Sequence, residues 1–252
     1  MIDLEKNKLL IRKKLKIRKP TIGGWMQISS ISIAEIFSDS NFDWIAIDFE
    51  HGLFNITDLI GIFGAIKSGN KLPIVRIDHH SSNKILHFLE AGAQGLIIPD
   101  VKKVDDLQYV LKNIKFKPSG EKGVGFSRSN SYGKFFDDYL KKTDPLIIPM
   151  IESSEGVENC EEIIKHPNVD GIFIGPYDLT SSLGCTGNFK DIRYVKSINK
   201  ILNTSFKYKK GCGIHIIEPS QKNLRLKIKE GFNFLAYSLD SVILRESVNF
   251  KI

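Results

Sequence analysis

The chain has 252 residues, 42% of them hydrophobic and 26% charged; that is the length of one large α/β barrel or two small domains, with the composition of a globular chain. A disordered chain, a collagen-like fibre and a coiled coil are excluded, and no apolar run reaches the roughly 18 residues of a membrane span. The formal charge of +7 admits a nucleic acid or an anionic surface as partner. The basic residues, however, are spread along the chain as on a generic solvated surface.

Residues 1–20 read as an N-terminal helix or arm that ends in the one dense basic run, Lys13-Lys14-Leu15-Lys16-Ile17-Arg18-Lys19. No apolar stretch behind Met1 reads as a secretory signal, so the expected compartment is the cytoplasm. Strands are predicted at 22–27, 44–50, 73–78, 95–100, 146–152, 171–176, 213–217 and 234–240. Each is nearly continuous in apolar, β-branched residues, as strands buried on both faces are. Amphipathic stretches at 30–39, 55–68, 82–91, 104–114, 156–165, 192–208 and 219–230 alternate with them. Thr57, Ser82 and Ser153 or Ser154 are expected N-caps, and Gly92 and Gly231 follow helix ends. A long Gly/Ser-rich loop runs from 115 to 138, and a short segment, 241–252, closes the chain. Eight strand–helix pairs predict a single (β/α)8 TIM barrel over 1–252. A doubly wound sheet is the alternative, but its Gly-rich first turn is missing from Met26-Gln27-Ile28-Ser29-Ser30.

Barrel chemistry sits at the C-terminal ends of the strands. Those ends are Gln27, Asp48-Phe49-Glu50-His51-Gly52, Arg76-Ile77-Asp78, Pro99-Asp100, Met150-Ile151-Glu152, Gly175-Pro176-Tyr177-Asp178, His215 within strand seven, and Ser238-Leu239-Asp240. Carboxylates, an imidazole and a guanidinium thus converge on one rim, and a buried charge costs several kcal/mol unless paired. Each also has a structural role open to it: Asp48 can tie down a loop, Arg76 can pair with Glu50, and Glu152 can cap the next helix. Glu152 and Asp178 end neighbouring strands about 5 Å apart and repel unless a cation joins them. Two carboxylates suit a hard divalent ion that keeps its waters, rather than a Ca²⁺ cage or a zinc cluster. His51 reads as a third ligand or a base, and His79-His80 as loop residues. No lysine ends a strand, so a Schiff-base enzyme lacks its amine. Gly175-Pro176-Tyr177-Asp178-Leu179 opens a helix whose free N–H groups suit a carboxylate or phosphate. Gly123-Val124-Gly125 is too short for a dinucleotide motif. Three cysteines, Cys160, Cys185 and Cys212, form no disulfide framework, and Cys212, although near His215, reads as a small strand filler.

Several blocks together resemble a known family. They are Phe42-Asp43-Trp44-Ile45-Ala46-Ile47-Asp48-Phe49-Glu50-His51-Gly52, Val75-Arg76, Gly92-Ala93-Gln94-Gly95-Leu96-Ile97-Ile98-Pro99, Gly123-Val124-Gly125, Ile151-Glu152, Val169-Asp170-Gly171-Ile172-Phe173-Ile174-Gly175-Pro176-Tyr177-Asp178-Leu179, Leu183-Gly184 and Gly213-Ile214. In this order, over about residues 20–245, the chain resembles the HpcH/HpaI family of class II, metal-dependent 2-oxo-acid aldolases. The resemblance implies a TIM barrel in a homo-oligomer, a hexamer or trimer of dimers with exchanged C-terminal helices. It implies Glu152 and Asp178 as ligands of a divalent ion (Mg²⁺, Mn²⁺ or Co²⁺), His51 as base and Arg76 as the group that stabilises the enolate oxygen. Gly175, Pro176 and Tyr177 match the backbone that holds the pyruvate carboxylate. Glu90 stands where the family has an Asp that orients the histidine, often across a subunit contact, and Arg128 matches a loop arginine near the aldehyde. Departures are Met150 for a Gln, Tyr177 for Ala or Ser, His215 for an apolar residue, and Asp78-His79-His80 for a Pro-containing loop. They leave the pyruvate end intact and bear on the aldehyde.

The expected reaction is reversible cleavage of a 4-hydroxy-2-oxo acid to pyruvate and a hydroxylated or anionic aldehyde, with His51 tuned by Glu90 or Asp48 and Arg76 at the oxyanion. The alternative enzyme is a citrate-lyase-like or citrate-synthase-like one acting on oxaloacetate or acyl-CoA, although no CoA site is evident. A non-catalytic, nucleic-acid-binding barrel is the other class. The expected partners are the 2-oxo acid, the aldehyde and further copies of the chain, with no nucleic acid and no membrane.

Overall fold

The computed structural model describes residues 4–78, 84–141 and 144–249. Eight parallel strands close into a barrel in sequence order: β1 (Thr21–Met26), β2 (Trp44–Asp48), β3 (Leu72–Arg76), β4 (Gly95–Ile98), β5 (Leu146–Ile151), β6 (Gly171–Ile174), β7 (Gly211–Ile216) and β8 (Phe234–Tyr237). β8 closes on β1 through Thr21↔Phe234, Ile22↔Leu235 and Gly23↔Ala236. This is the expected (β/α)8 fold. Several strands are shorter than predicted: Glu50, Asp78, Asp100, Glu152, Pro176 and Asp240 lie just past the last ladder residue. The polar groups therefore stand on the turns at the mouth, where strand pairing no longer dictates their direction. β7 begins at Gly211, two residues before the predicted start, because the Cys212 N–H is drawn to Asn233 Oδ1 at 2.8 Å and Cys212 pairs with Ile172.

Strands buried on both faces produce two cores. Inside the barrel lie Trp25, Trp44, Ala46, Ile74, Ile97, Ile148, Met150, Phe173 and Phe234. Trp44 stacks on Phe234 at 4.2 Å, and it fits because Gly23 has no Cβ, which would sit 2.1 Å from the indole. Outside, Ile45, Ile47, Val75, Leu96, Ile147, Ile172 and Leu235 meet the surrounding helices. Cys212 is buried, and burial pushes its thiol up to about 12, so it is the filler expected of it rather than a nucleophile.

The helices are α1 (Leu4–Lys16), α2 (Ile31–Ser38), α3 (Asp58–Ser68), α4 (Ile85–Ala91), α5 (Gln108–Ile114), α6 (Phe136–Leu140), α7 (Ser154–Glu158), α8 (Cys160–Lys165), α9 (Pro176–Ser182), α10 (Ile192–Lys207), α11 (Gln221–Glu230) and α12 (Asp240–Val248). α1 closes the N-terminal end of the barrel. Ile11 and Leu15 enter the interior core, and the Leu15 carbonyl accepts from Asn233 Nδ2 at 3.0 Å. The basic run is partly tied down, with Lys14 on Asp43 at 2.6 Å, and Arg12 just before it pairs with Asp170 at 2.6 Å. Ser153 caps α7, accepting from Gly156 N–H. Thr57 makes no side-chain cap bond; Asp58, the first residue of α3, instead ties down the preceding turn, accepting from Asn55 N–H at 2.9 Å and Ser29 Oγ at 2.7 Å. Gly92 and Gly231 end their helices at φ +121° and +105°, a region that favours glycine. Ser82, His79 and His80 lie outside the described residues. Among the described residues no helix is long and apolar enough to cross a membrane.

The long loop after α5 is built rather than structureless. Asn130 is its buried anchor, accepting from Ser127 and Gly133 N–H and donating to the Gly125 carbonyl. Arg128 donates to the Ala91 carbonyl at 2.7 Å and so docks the loop on the end of α4.

Candidate active site

Asp48 is the hub of the mouth. It ends β2 directly beside Arg76 of β3. Oδ1 accepts from Arg76 Nε at 2.8 Å and from the N–H groups of Glu50 and His51 at 3.1 and 3.2 Å. Oδ2 accepts from Arg76 Nη2 at 2.6 Å, Gln27 Nε2 at 3.1 Å and Trp25 Nε1 at 3.2 Å. Burial alone pushes this carboxyl up; Arg76, then Gln27 and Trp25, overcome that and hold it below its ordinary value. Arg76 also pairs through Nη1 with Glu50 at 2.9 Å, and its guanidinium lies 5.1 Å from the Trp25 ring. Three of its five N–H donors are committed to carboxylates, which leaves two without a partner among the described residues. Of this network the sequence indicated the Arg76–Glu50 pair. It took Gln27 only as a strand end and did not single out Trp25; the usable signal is that Trp25 lies inward on β1, one residue short of its end.

Glu152 and Asp178 face the same space. Glu152 does not cap α7; its Oε1 accepts from the Asp100 N–H at 2.6 Å. Its carboxyl is pushed up to about 7, first by burial, with Glu50 and Asp178 adding to the rise and the Asp100 N–H and Arg76 opposing it. Three carboxylates, Asp48, Glu50 and Glu152, thus act on one guanidinium, and Asp178 acts on Glu152. A Cβ on Gly175 would lie 2.3 Å from Glu152 Oε2, so the missing side chain makes room for that carboxylate. Among the described residues no group of three or more His, Cys, Asp or Glu is arranged around one metal position. The donor set is two carboxylates, one raised by burial and by the carboxylates of Glu50 and Asp178. That fits a hard divalent cation that takes its remaining oxygens from water and substrate. Gly175→Ala is expected to displace the Glu152 carboxylate and weaken Mn²⁺ binding by about tenfold or more in calorimetric titration, leaving the circular dichroism spectrum unchanged.

The other expected residues divide by position. His51 is exposed on the turn after β2. Gly175 and Pro176 are the N-cap and first residue of α9, and the N–H groups of Tyr177 and Asp178 in that first turn have no helical carbonyl to meet. The Tyr177 ring is half-exposed and meets Phe189 edge-on at 5.2 Å. His215 is inside the mouth, 4.9 Å from Trp25 between ring centres. Glu90 and Arg128 are elsewhere. Glu90 is near the end of α4, which leads into the start of β4 and so lies toward the opposite end of the barrel. It accepts from Tyr139 OH at 3.0 Å and Ser129 Oγ at 3.1 Å. Within one chain the geometry joins neither Glu90 nor Arg128 to His51.

A closed barrel whose mouth gathers a held guanidinium and paired carboxylates matches known proteins along nearly its whole length. The chain belongs to the HpcH/HpaI aldolase/citrate lyase family, whose model matches residues 21–247. It is 30% identical over 235 residues to 5-keto-4-deoxy-D-glucarate aldolase of Escherichia coli O6:H1 (strain CFT073), covering 92% of this chain and 91% of that protein. Its structure resembles an HpcH/HpaI aldolase/citrate lyase family protein from Burkholderia cenocepacia J2315, with a TM-score of 0.87, 27% identity and 94% and 95% of the two chains covered. The citrate synthase SbnG shares the fold, with a TM-score of 0.79 at 22% identity over 94% and 93% of the chains. The chain is therefore a carbon–carbon lyase, an aldolase of this family acting on small molecules.

Proposed function

We propose that this aldolase depends on a divalent ion (Mg²⁺, Mn²⁺ or Co²⁺) and reversibly cleaves a 4-hydroxy-2-oxo acid of the 2-keto-3-deoxy sugar acid type. The products are pyruvate and an aldehyde. The observation that carries the reading is the raised Glu152 carboxyl beside Asp178, facing an Arg76 that is locked by Asp48 and Glu50. Aldolases of this family are generally divalent-metal dependent. Glu152 and Asp178 would hold the ion, which supplies Lewis acidity toward the oxygens of the 2-oxo acid.

The chain's own residues do the rest. The free N–H groups opening α9 receive the substrate carboxylate. His51 takes the proton of the 4-hydroxyl as the C3–C4 bond breaks; C4 leaves as the aldehyde and the bond pair stays on C3 as an enolate. The two uncommitted donors of Arg76 stabilise the enolate oxygen, and their aim is fixed in advance by Asp48. Protonation at C3 releases pyruvate, and the reverse sequence forms the aldol.

Glu90 and Arg128 enter this reading as contributions to a neighbouring copy. Their place beyond the start of β4, joined by Ser129, Tyr139 and Ala91 into one unit, supports a homo-oligomer in which Glu90 orients the His51 of another subunit and Arg128 stands near that subunit's aldehyde. The expected compartment remains the cytoplasm. Pyruvate release from a 2-keto-3-deoxy sugar acid is expected to vanish with EDTA and return with Mn²⁺ or Mg²⁺; turnover that resists EDTA would sink the metal-dependent reading.

A further inference from the structure

We infer that His215 selects the aldehyde half of the substrate by accepting a hydrogen bond from one of its hydroxyl groups, an inference that rests on the aldolase reading above. His215 Nε2 lies 3.0 Å from the Ser238 carbonyl oxygen. A carbonyl only accepts, so Nε2 carries the proton and Nδ1 is a bare lone pair. The Ser238 carbonyl is itself fixed: its N–H donates to the Ile216 carbonyl at 2.7 Å and its Oγ to the Ile217 carbonyl at 2.7 Å, at φ +59°. The ring cannot exchange its nitrogens without losing that bond.

The ring is also held in place. It packs against Trp25 at 4.9 Å and Phe173 at 6.4 Å between ring centres. Trp25 carries the Arg76 guanidinium on the same indole and donates to Asp48, which also accepts from the His51 N–H; in the reaction proposed above the 4-hydroxyl meets His51, so C4 and the carbons beyond it lie on the side of the mouth where Trp25 holds the ring. Nδ1 has no partner among the described residues and is not sealed off from solvent. The groups around the ring are Arg76 of β3, Asp48 of β2, Trp25 of β1, Phe173 of β6 and the Ser238 carbonyl after β8. Burial is the largest influence, and Arg76 adds to it against Ser238 and Asp48, so the ring is pushed down to about 4 and is neutral at pH 7.

A neutral ring that presents only a lone pair repels the oxygens of a carboxylate or a carbonyl, both acceptors. It rewards a donor, and among the groups an aldehyde of this class carries, the donor is a hydroxyl. Of the two aldehyde classes open to the proposed reaction, hydroxylated and anionic, the geometry points to the hydroxylated one.

The test runs in the aldol direction, with pyruvate and either glyceraldehyde, propionaldehyde or succinic semialdehyde. The wild type is expected to prefer glyceraldehyde in kcat/KM. In His215→Phe, which keeps a ring in the stack, the ratio of glyceraldehyde to propionaldehyde is expected to fall about tenfold, the worth of one hydrogen bond between neutral groups. An unchanged ratio overturns the inference, as does a wild-type preference for succinic semialdehyde. Exchange of pyruvate methyl protons in D₂O, followed by NMR on the wild type, separates the two levels. No exchange fails the aldolase reading and this inference with it; exchange with an unchanged ratio fails this inference alone. Nitrogen-15 NMR of histidine-labelled wild-type protein is independent of the variant's folding. The Nε2–H form at pH 7 is expected, and an imidazolium or an Nδ1–H form overturns the inference.

Discussion

Glu152→Gln is expected to stabilise the metal-free protein at pH 8 while lowering aldolase turnover by about a thousandfold or more, the several kcal/mol that a Lewis acid contributes to a transition state. The two effects have one origin. The Glu152 carboxyl stands at about 7 against an ordinary 4.5, raised by burial and then by Glu50 and Asp178. A carboxyl raised in the folded state favours folding below its unfolded value, and that contribution is lost as pH rises through the folded value. At about 1.36 kcal/mol per pH unit the displacement is worth about 3 kcal/mol in the metal-free protein, lost between pH 4.5 and pH 8. Gln is uncharged at every pH and its carbonyl still accepts from the Asp100 N–H. Thermal melts in EDTA from pH 5 to 8.5 should therefore fall for the wild type and stay nearly level for the variant. Added Mn²⁺ should lift the wild-type curve at pH 8 and leave the variant's in place. Parallel curves for the two proteins, with or without Mn²⁺, would show that Glu152 is a structural acid and not a metal ligand.

Much of this site was legible because a barrel writes its geometry into the sequence. A strand buried on both faces is a run of apolar residues, and the residue that breaks the run points into the mouth; Asp48, Arg76 and Glu152 were found that way. The same rule overshot several strand ends, since Ile77 or Pro99 continues an apolar run after the ladder has stopped. Contacts set by register were not legible. Arg76 has two carboxylates within two residues of each other on the preceding strand's end, and nothing in the sequence says that Asp48, its cross-strand neighbour, takes the bidentate bond while Glu50 takes the remaining nitrogen. Nor was the far position of Glu90: a helix of seven residues between its start and its end carries a side chain from one rim toward the other. The Lys-rich N-terminus read as a helix or an arm because charge dominates its composition; it is the helix α1. Its role is decided by Ile11 and Leu15, which close the barrel floor.

Asp48→Asn and Arg76→Lys are expected to separate the two functions of the central pair. Asp48 accepts six hydrogen bonds, three on each oxygen. Asn retains one acceptor oxygen and turns an NH₂ group toward donors of Arg76, Gln27 or the backbone, so one face of the hub becomes donor against donor. Breaking a buried pair from one side costs about 3–5 kcal/mol, because the guanidinium loses its bidentate partner and keeps only Glu50 and the more remote Glu152. Arg76→Lys leaves Asp48 its opposite charge but removes the planar fork and the two uncommitted donors. Its stability loss is expected to be about 1–2 kcal/mol, while kcat falls by about a hundredfold, the usual worth of one oxyanion donor. The acid side provides the check on Asp48. Burial raises its carboxyl, yet Arg76, Gln27 and Trp25 hold it below 3.8, so its contribution is present above 3.8 and is lost as pH falls through the folded value. Urea unfolding at pH 7 and pH 3 should show the wild type losing part of its advantage over Asp48→Asn at the lower pH. If the two variants lose stability and kcat in the same proportion, Arg76 is a structural cation, and the enolate oxygen of the proposed reaction must find its donor elsewhere in the mouth.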